Sequence, residues 1–435
     1  RPLHEGAWRV YCDSRVLAGL SRLSGGPRLS VITGSDLTAH LIQRASVSGI
    51  KVAVIGAGSA GIMAAITASR MGNRVVLVER NPQIGRKLLA TGNGRCNLTN
   101  ARVTADRYHG SDREFIETVL DAFDHVATMR FFEALGLLLK EEDNGRVFPR
   151  TNQAASVVKV LRLELRRTGV HVMLDAQVKA IRRAASWEVS MLDGARVAAE
   201  RLIVATGGRA AHHFGSTGDG LYWAEKLGHT LTPIHAALVP METVETWPKD
   251  AQGTKVDAAV RATTDGRTIG EASGDVHFAS YGVSGPAVMA LARAVAPLLA
   301  SSRVTLHIDL FPDMTEAQLR EIVARHADRT LQDVLVGLVP SGLIPVVARF
   351  AGGMDAVPSV LKNLTLTVSQ LRRLKEAQVT AGGITADEID PRTLESRLLP
   401  GLHFAGEVLD VDGDSGGFNL QWAWSSGYVA GLLGK

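Results

Sequence analysis

The run Lys51-Val52-Ala53-Val54-Ile55-Gly56-Ala57-Gly58-Ser59-Ala60-Gly61 decides the fold. Its first five residues read as a short strand of the buried type, and the small residues that follow, as far as Met71, read as a helix starting directly from a glycine turn. After Gly72-Asn73, Arg74 to Val78 reads as a second strand, closed by Glu79. Together they predict a βαβ unit. In Gly56-x-Gly58-x-x-Gly61 the first glycine permits a tight turn, the second lets backbone approach a pyrophosphate, and the third lets helix and strand pack closely. A helix N-terminus placed there turns free N–H groups toward the phosphate charge. Glu79 lies 18 residues past Gly61, where a carboxylate accepts hydrogen bonds from ribose hydroxyls. Its charge disfavours a 2′-phosphate, and hence NADP, at that position. Three spaced glycines alone are a weak signal; the flanking strand, helix and terminal acid give them their specificity.

Outward from this unit the chain divides by composition. Residues 1–48 sustain neither helical nor strand periodicity and are expected to be a poorly ordered extension. The first Met is Met63, inside the helix just described, so a natural start near Val47 from an alternative start codon is expected. Val170 to Leu174, Trp187 to Met191 and Arg201 to Ala205 read as strands, and Asp219 as an N-cap before Leu221 to Leu227. Residues 236–312 alternate short β-type runs with turns. Thr315 and Gln318 make a capping box, and helical spacing is read from there to about Gln378. Leu402 to Ala405 then forms a strand, followed by a Gly/Asp-rich loop and an apolar final helix starting near Asn419.

FAD and NAD share the glycine fingerprint, and three later segments favour FAD. Ala205-Thr206-Gly207-Gly208 ends a strand that belongs beside the first βαβ unit. Val178 lies in extended backbone able to pair with adenine, and Phe404-Ala405-Gly406-Glu407 brings an acid to a strand end. Each also has a plain reading as strand and turn. The loop Asp412-Gly413-Asp414-Ser415-Gly416-Gly417 enters the last helix, whose positive end suits the pyrimidine edge of a flavin, where reduction places negative charge. The segment Gly85 to Asn100 holds three cations and further glycines, more than a connection requires, and reads as a cradle along the cofactor.

Those segments, with Gly145-Arg146-Val147-Phe148-Pro149, Gly215-Ser216-Thr217-Gly218-Asp219-Gly220, Tyr281-Gly282-Val283-Ser284-Gly285-Pro286 and Thr380-Ala381-Gly382-Gly383, make the chain closely resemble the BaiN/YhiN-like flavoproteins, also known as aminoacetone oxidase family FAD-binding enzymes. The resemblance runs in order over about residues 49–435. It implies an α/β architecture: a Rossmann-type FAD-binding domain from residues 49–235 and 395–435, a β-barrel-like insert from 236–312 and 379–394, and a small helical domain from 313–378. It implies one FAD, an oxidoreductase activity with NAD(P)H as transient co-substrate, and C=C reduction in bile-acid breakdown for some relatives. The cofactor-binding residues it implies are Gly56, Gly58, Ser59, Ala60, Gly61, Glu79 and Arg80 in the fingerprint; Arg86, Lys87, Leu88, Gly94, Arg95, Cys96 and Asn97 in the cradle; Val178, Ala205, Thr206, Gly207, Gly208 and Asp219 in the middle; and Gly406, Glu407, Gly417, Phe418, Asn419 and Leu420 near the end. The family usually has a Ser/Tyr and Pro-containing approach to its Gly-Ser-Thr-Gly-Asp-Gly loop, whereas here Arg209-Ala210-Ala211-His212-His213-Phe214 stands.

For catalysis the sequence offers only three candidates. Cys96 follows Arg95, a cation that would favour its thiolate, although a small buried residue is the more economical reading. His212 and His213 could donate a proton, against the commoner solvated histidine. Asp410, Asp412 and Asp414 lack the downstream glutamate of a calcium loop, so no metal is expected. A second fingerprint is missing as well, so a nicotinamide would dock at the flavin face rather than in a Rossmann site of its own.

At 435 residues the chain has room for several cores, and 46% hydrophobic with 21% charged residues argues against disorder. Cys12 and Cys96 are too few for a disulfide framework and suit a reducing cytoplasm. No apolar run of membrane length occurs, since Pro286 to Ala300 is interrupted by Arg293. The net charge of +4 suggests a basic partner surface until it is located. Residues 1–48 carry six Arg against three Asp+Glu, leaving 42 Lys+Arg against 41 Asp+Glu in the remainder. A small-molecule substrate, with no nucleic-acid and no membrane partner, is therefore expected; oligomeric state is left open.

Overall fold

The computed structural model describes residues 49–434. The expectations about residues 1–48, with Cys12 and a start near Val47, lie outside the described residues. Lys51–Ile55 forms the middle of a five-stranded parallel sheet, ordered Leu402–Phe404, Arg201–Val204, Lys51–Ile55, Arg74–Val78, His171–Met173. Val54 is in register with Ile203 on one side and Leu77 on the other, and Leu202 with Leu402. Val52, Ala53 and Val54 have no exposed surface, as a strand covered on both faces requires, which is why the run is apolar without alternation. The chain thus returns from its far end to complete the sheet begun by its first strand.

Two helices, Ser59–Arg70 and Phe418–Leu432, pack together on this sheet. Small residues allow their close approach: a Cβ on Gly427 would lie 2.4 Å from the Ala60 carbonyl oxygen, and one on Gly431 2.7 Å from that of Ala64. Trp422 and Trp424 lie buried beside them, their indole N–H groups donating to the carbonyls of Gly406 (3.2 Å) and Leu98 (2.9 Å).

The insert is a closed six-stranded barrel, ordered Met241–Thr243, Gly282–Ser284, Arg267–Ala279, Lys255–Thr264, Val304–Asp309, Leu364–Leu371. The capping box at Thr315 and Gln318 is present at the head of Glu316–Ala324, but two expected boundaries need correction. The α-helices of this region end at Lys362, and Leu364–Leu371 is a barrel strand, followed only by a 3-10 turn at Leu374–Glu376, rather than part of a helical domain reaching residue 378. Its Leu364-x-Leu366-x-Val368 alternation, with threonines between, has the period of a strand whose inward face is buried. The helices share one core with the barrel, Leu319, Leu335, Val347 and Leu361 joining Val260, Leu306 and Ile308. Residues 379–394 also leave the barrel: Val379–Ala381 pairs with His235–Ala237 in a two-stranded ribbon between the units, and Ile384 and Ile389 join the core of the parallel sheet. Among the described residues no single helix is long and apolar enough to cross a membrane.

Candidate functional site

A cleft of about 1570 Å³ runs from the ends of the parallel strands to the rim of the barrel. Its deep wall is the glycine fingerprint, where each glycine meets a different constraint. Gly56 has φ +98°, and a Cβ there would sit 2.5 Å from the Ala205 carbonyl oxygen; a Cβ on Gly61 would lie 1.8 Å from the Gly56 carbonyl oxygen. At Gly58 nothing lies within 4 Å of the Cβ position, because that side opens into the cleft. Gly61 is therefore packed behind the wall while Gly56, Gly58, Ser59 and Ala60 line it.

The two helices that pack together on the parallel sheet both start at this cleft without a side-chain cap. Ser59–Arg70 follows Gly58, and Phe418–Leu432 follows Gly417, which has φ +105°. The first free N–H groups of the second helix belong to Phe418, Asn419 and Leu420, since Gln421 N–H already bonds the Gly417 carbonyl (3.0 Å). The Asn419 side chain turns back to brace the preceding loop, accepting from Gly413 N–H at 2.9 Å and donating to the Gly413 carbonyl at 2.6 Å.

Glu79 closes the second strand, with its carboxylate accepting from Ala57 N–H (2.7 Å), Asn81 N–H (2.8 Å) and the Asn81 side-chain amide (2.7 Å). A carboxylate offers about four lone-pair positions, so one remains for a ligand hydroxyl. Three nearby cations are paired with carboxylates: Arg80 with Asp219 at 3.1 Å, Lys87 with Glu407 at 2.7 Å, and Arg95 with Glu142 at 2.5 Å while lying over the Phe148 ring. Arg86 donates to Asn81 Oδ1 at 2.7 Å. The Lys140 and Arg95 cations beside Glu142 hold its carboxyl below the usual range. Asp219 is the first residue of its helix rather than its cap, which is Gly218; its carboxylate serves the pair with Arg80 instead.

The other expected residues divide clearly. Leu88, Val178, Ala205, Thr206, Gly207, Gly406, Glu407 and Gly417 line the cleft. So does Asn97, whose side-chain oxygen is buried with no partner among the described residues. Gly94 and Gly208 do not; a Cβ on Gly208 would collide with Thr380 at 2.4 Å, so that glycine serves packing. Cys96 is also absent from the cleft. It is fully buried at φ +62°, and burial pushes its thiol up to about 12, the reverse of the activation that Arg95 suggested. The two side chains diverge from neighbouring positions, one into the core and the other over Phe148. His212 stays outside the cleft, and His213 lines it with its ring packed on Phe214 at 4.0 Å. Of the three aspartates, Asp412 is paired with Arg293, and Asp414 with Arg107 (3.1 Å) and His109 (2.9 Å).

Several lining residues were not anticipated as site residues. Arg102, Arg107, Asn144, Arg146 and Phe148 line one lip, and Asp257, Glu271, Ser273, Asp275 and Tyr281 of the barrel line the facing one. Arg146, Phe148 and Tyr281 belong to motifs that carried the resemblance; the others come together only through strand pairing.

A family model described as the HI0933-like protein Rossmann domain matches residues 50–433. The chain is 38% identical over 401 residues to the 3-dehydro-bile acid delta(4,6)-reductase of Clostridium scindens, covering 88% of this chain and 98% of the relative. It is 30% identical over 392 residues to the ribosomal RNA dihydrouridine synthase of Escherichia coli, covering 86% and 96%. In three dimensions it is similar to the 3-ketosteroid delta1-dehydrogenase of Sterolibacterium denitrificans, with a TM-score of 0.50 at 14% identity over 89% of this chain and 99% of that one, a likeness of fold. With the family model spanning nearly every described residue, the chain belongs to the HI0933-like family of Rossmann-domain proteins, the group that includes the BaiN/YhiN-like proteins, and is an enzyme like its relatives.

Proposed function

We propose that the chain is a flavin-dependent oxidoreductase that holds one FAD in this cleft and reduces an activated carbon–carbon double bond of a small organic acceptor, with NAD(P)H as the electron donor. The observation that carries this reading is the convergence of two uncapped helix N-termini, each entered through glycine, on one long cleft. One such terminus suits the pyrophosphate and the other the pyrimidine edge of a flavin. The open space at Gly58 and the unpartnered oxygen of Asn97 fit a ligand that approaches backbone at one point and donates a hydrogen bond at another.

In this reading Gly56, Gly58, Ser59 and Ala60 hold the pyrophosphate, Glu79 a ribose hydroxyl, and Val178 the adenine. Lys87 and Glu407 lie along the ribityl chain, and the N–H groups of Phe418, Asn419 and Leu420 face the pyrimidine edge, with Asn97 beside it. FAD supplies transfer of a hydride or electron pair at its N5. The chain's own groups bind and orient it, exclude water from the deep wall, and place the positive end of the last helix where negative charge builds up. The relatives named above support the acceptor chemistry. A delta(4,6)-reductase and a dihydrouridine synthase each add two hydrogens across a double bond, one in a bile acid and the other in a pyrimidine.

Reconstitution with FAD followed by anaerobic titration with NADH and NADPH tests the proposal. Stoichiometric FAD, bleaching of its visible band and re-oxidation by an enone are expected. Absence of bleaching by either donor defeats it. A second reading, in which the acceptor is a uracil base of RNA, draws on the 30% relative. It predicts that uridine in a ribosomal RNA fragment, and no free enone, re-oxidises the reduced protein.

A further inference from the structure

The cations around the cleft are not alike. Arg80, Lys87, Arg95 and Arg107 each have a carboxylate within ion-pair distance, whereas four cleft-lining cations have none among the described residues: Arg86, which is held by Asn81 Oδ1 (2.7 Å), Lys375 in the short turn Leu374–Glu376, and the pair of interest, Arg102 and Arg146. Among the described residues the Arg146 side chain donates one hydrogen bond, from its Nε to the Asp143 carbonyl at 3.2 Å. Both are exposed, and both line the cleft close to the glycines that open the last helix.

Their placement is built. Asn100, 2% exposed, donates through its side-chain amide to the Gly416 carbonyl (2.9 Å) and the Asn144 carbonyl (3.2 Å), and accepts from Arg102 N–H (2.8 Å). One buried side chain thereby fixes Arg102, the turn before Arg146 and the turn before the last helix against each other. Asn100 and Arg146 are also register partners in a short antiparallel pair. Gly145 completes the arrangement: at φ +75°, a Cβ there would meet Asn100 Oδ1 at 2.6 Å and Arg102 Cγ at 3.0 Å, so Arg102 can pack against the turn that leads into Arg146 because this residue has no side chain. Two guanidinium groups without a carboxylate partner on one lip leave their donors free for an anion, which can take charge-assisted hydrogen bonds from them.

We propose that Arg102 and Arg146 form an anion-recognition lip that binds the carboxylate of a small acceptor at the reacting end of the cleft, and so select acidic acceptors over neutral ones. The inference rests on the flavin-dependent reading above. A single carboxylate is favoured over a polyphosphate chain because the facing lip carries Asp257, Glu271 and Asp275, all exposed, which would repel a strand charged at every nucleotide.

The test compares a conjugated 3-oxo steroid carboxylic acid with its methyl ester. With wild-type holoenzyme the acid should show the lower KM by about tenfold or more, the range expected for a charged hydrogen-bonded contact. Arg102→Gln with Arg146→Gln should raise KM for the acid by a similar factor, hold kcat within about twofold, and leave the ester unchanged. Arg102→Lys with Arg146→Lys should restore part of the loss, and Arg150→Gln, an exposed charge outside the cleft, should change neither. The flavin visible band reports that every variant is folded and loaded. Wild type that treats acid and ester alike overturns the lip. So does a glutamine variant impaired for NADPH rather than the acid, which would assign the arginines to the donor's phosphates, or one impaired only toward a uridine-containing RNA oligonucleotide. If neither nicotinamide reduces the flavin, the failure belongs to the underlying reading. Calorimetric binding of the acid and ester to wild type and the glutamine variant then still decides the lip.

Discussion

The two ends of the cleft are built to opposite rules. At the fingerprint end Arg80 is paired with Asp219 and Lys87 with Glu407, Arg86 is held by the Asn81 side-chain oxygen, and two glycines touch backbone so closely that a methyl group does not fit. At the barrel end Arg102 and Arg146 on one lip and Asp257 on the other have no ion-pair partners among the described residues, and the groups are exposed. A wall whose cations already have protein partners and whose backbone is locked suits a ligand that stays. Lips with unsatisfied charge suit one that comes and goes, because only transient contacts there are free to be made and broken. The difference is testable one residue at a time.

The largest effect is expected at Gly61. Alanine there places a methyl 1.8 Å from the Gly56 carbonyl oxygen, with the Ala205 side chain 3.3 Å away, so the helix has to move off the sheet. A loss of about 3 kcal/mol or more is expected, read as a fall in the denaturation midpoint of the apoprotein together with lost FAD retention. Gly58→Ala, three residues earlier, should do the reverse. Its Cβ position is empty and its φ of −79° is ordinary for alanine, so stability should hold within about 0.5 kcal/mol. FAD affinity should fall about a hundredfold, as the methyl occupies the space a pyrophosphate needs. Equal damage from both substitutions would break the distinction between a packing glycine and a binding one.

Asp412 tests the joint between the two ends, since it lies on a strand under the cleft and pairs with Arg293 of the barrel unit. Burial outweighs the Arg293 cation and raises its carboxyl to about 6. A carboxyl whose folded value exceeds its unfolded one binds its proton more tightly in the native state. Its contribution to stability is therefore full below the unfolded value near 3.8 and is lost as pH rises through about 6. Relative to Asp412→Asn, wild type should lose on the order of 2 kcal/mol between about pH 4 and about pH 7. A difference that does not vary with pH would show that the carboxyl titrates alike in the folded and unfolded chain and is not raised by burial.

How far the sequence carries depends on the same contrast. The fingerprint end is legible because its constraints are local: a strand, three glycines and a terminal acid within about thirty residues, each with its own physical reason. The barrel end depends on pairings between distant segments. Leu364 to Leu371 falls inside the stretch of helical spacing read to about Gln378, although Leu364-Thr365-Leu366-Thr367-Val368 has the two-residue period of a strand. Arg102 and Arg146 gain meaning only from Asn100, which joins three segments that sequence spacing cannot bring together. Cys96 fails for the opposite reason. Adjacency to Arg95 suggested a shared environment, but neighbouring side chains here face the core and the cleft.

The smallest effect is the sharpest probe of the open lip. Asp257 and Asp275 stand directly opposite each other in the barrel hairpin, both exposed and both lining the cleft. Like charges facing each other across an antiparallel pair are unfavourable by a few tenths of a kcal/mol, and the His277 ring, 4.0 Å from Asp275, is too distant to offset this well. Asp257→Asn should therefore stabilise the protein by about 0.5 kcal/mol in low salt, with the gain shrinking as salt screens the pair. At the fingerprint end a change such as Glu407→Gln should go the other way, because it leaves Lys87 without its 2.7 Å partner. Opposite signs for the two neutralisations would show that charge is balanced at one end of the cleft and held unbalanced at the other. If Asp257→Asn destabilises instead, the hairpin acids are already satisfied within the protein, and the facing lip loses its reason to repel a polyanion.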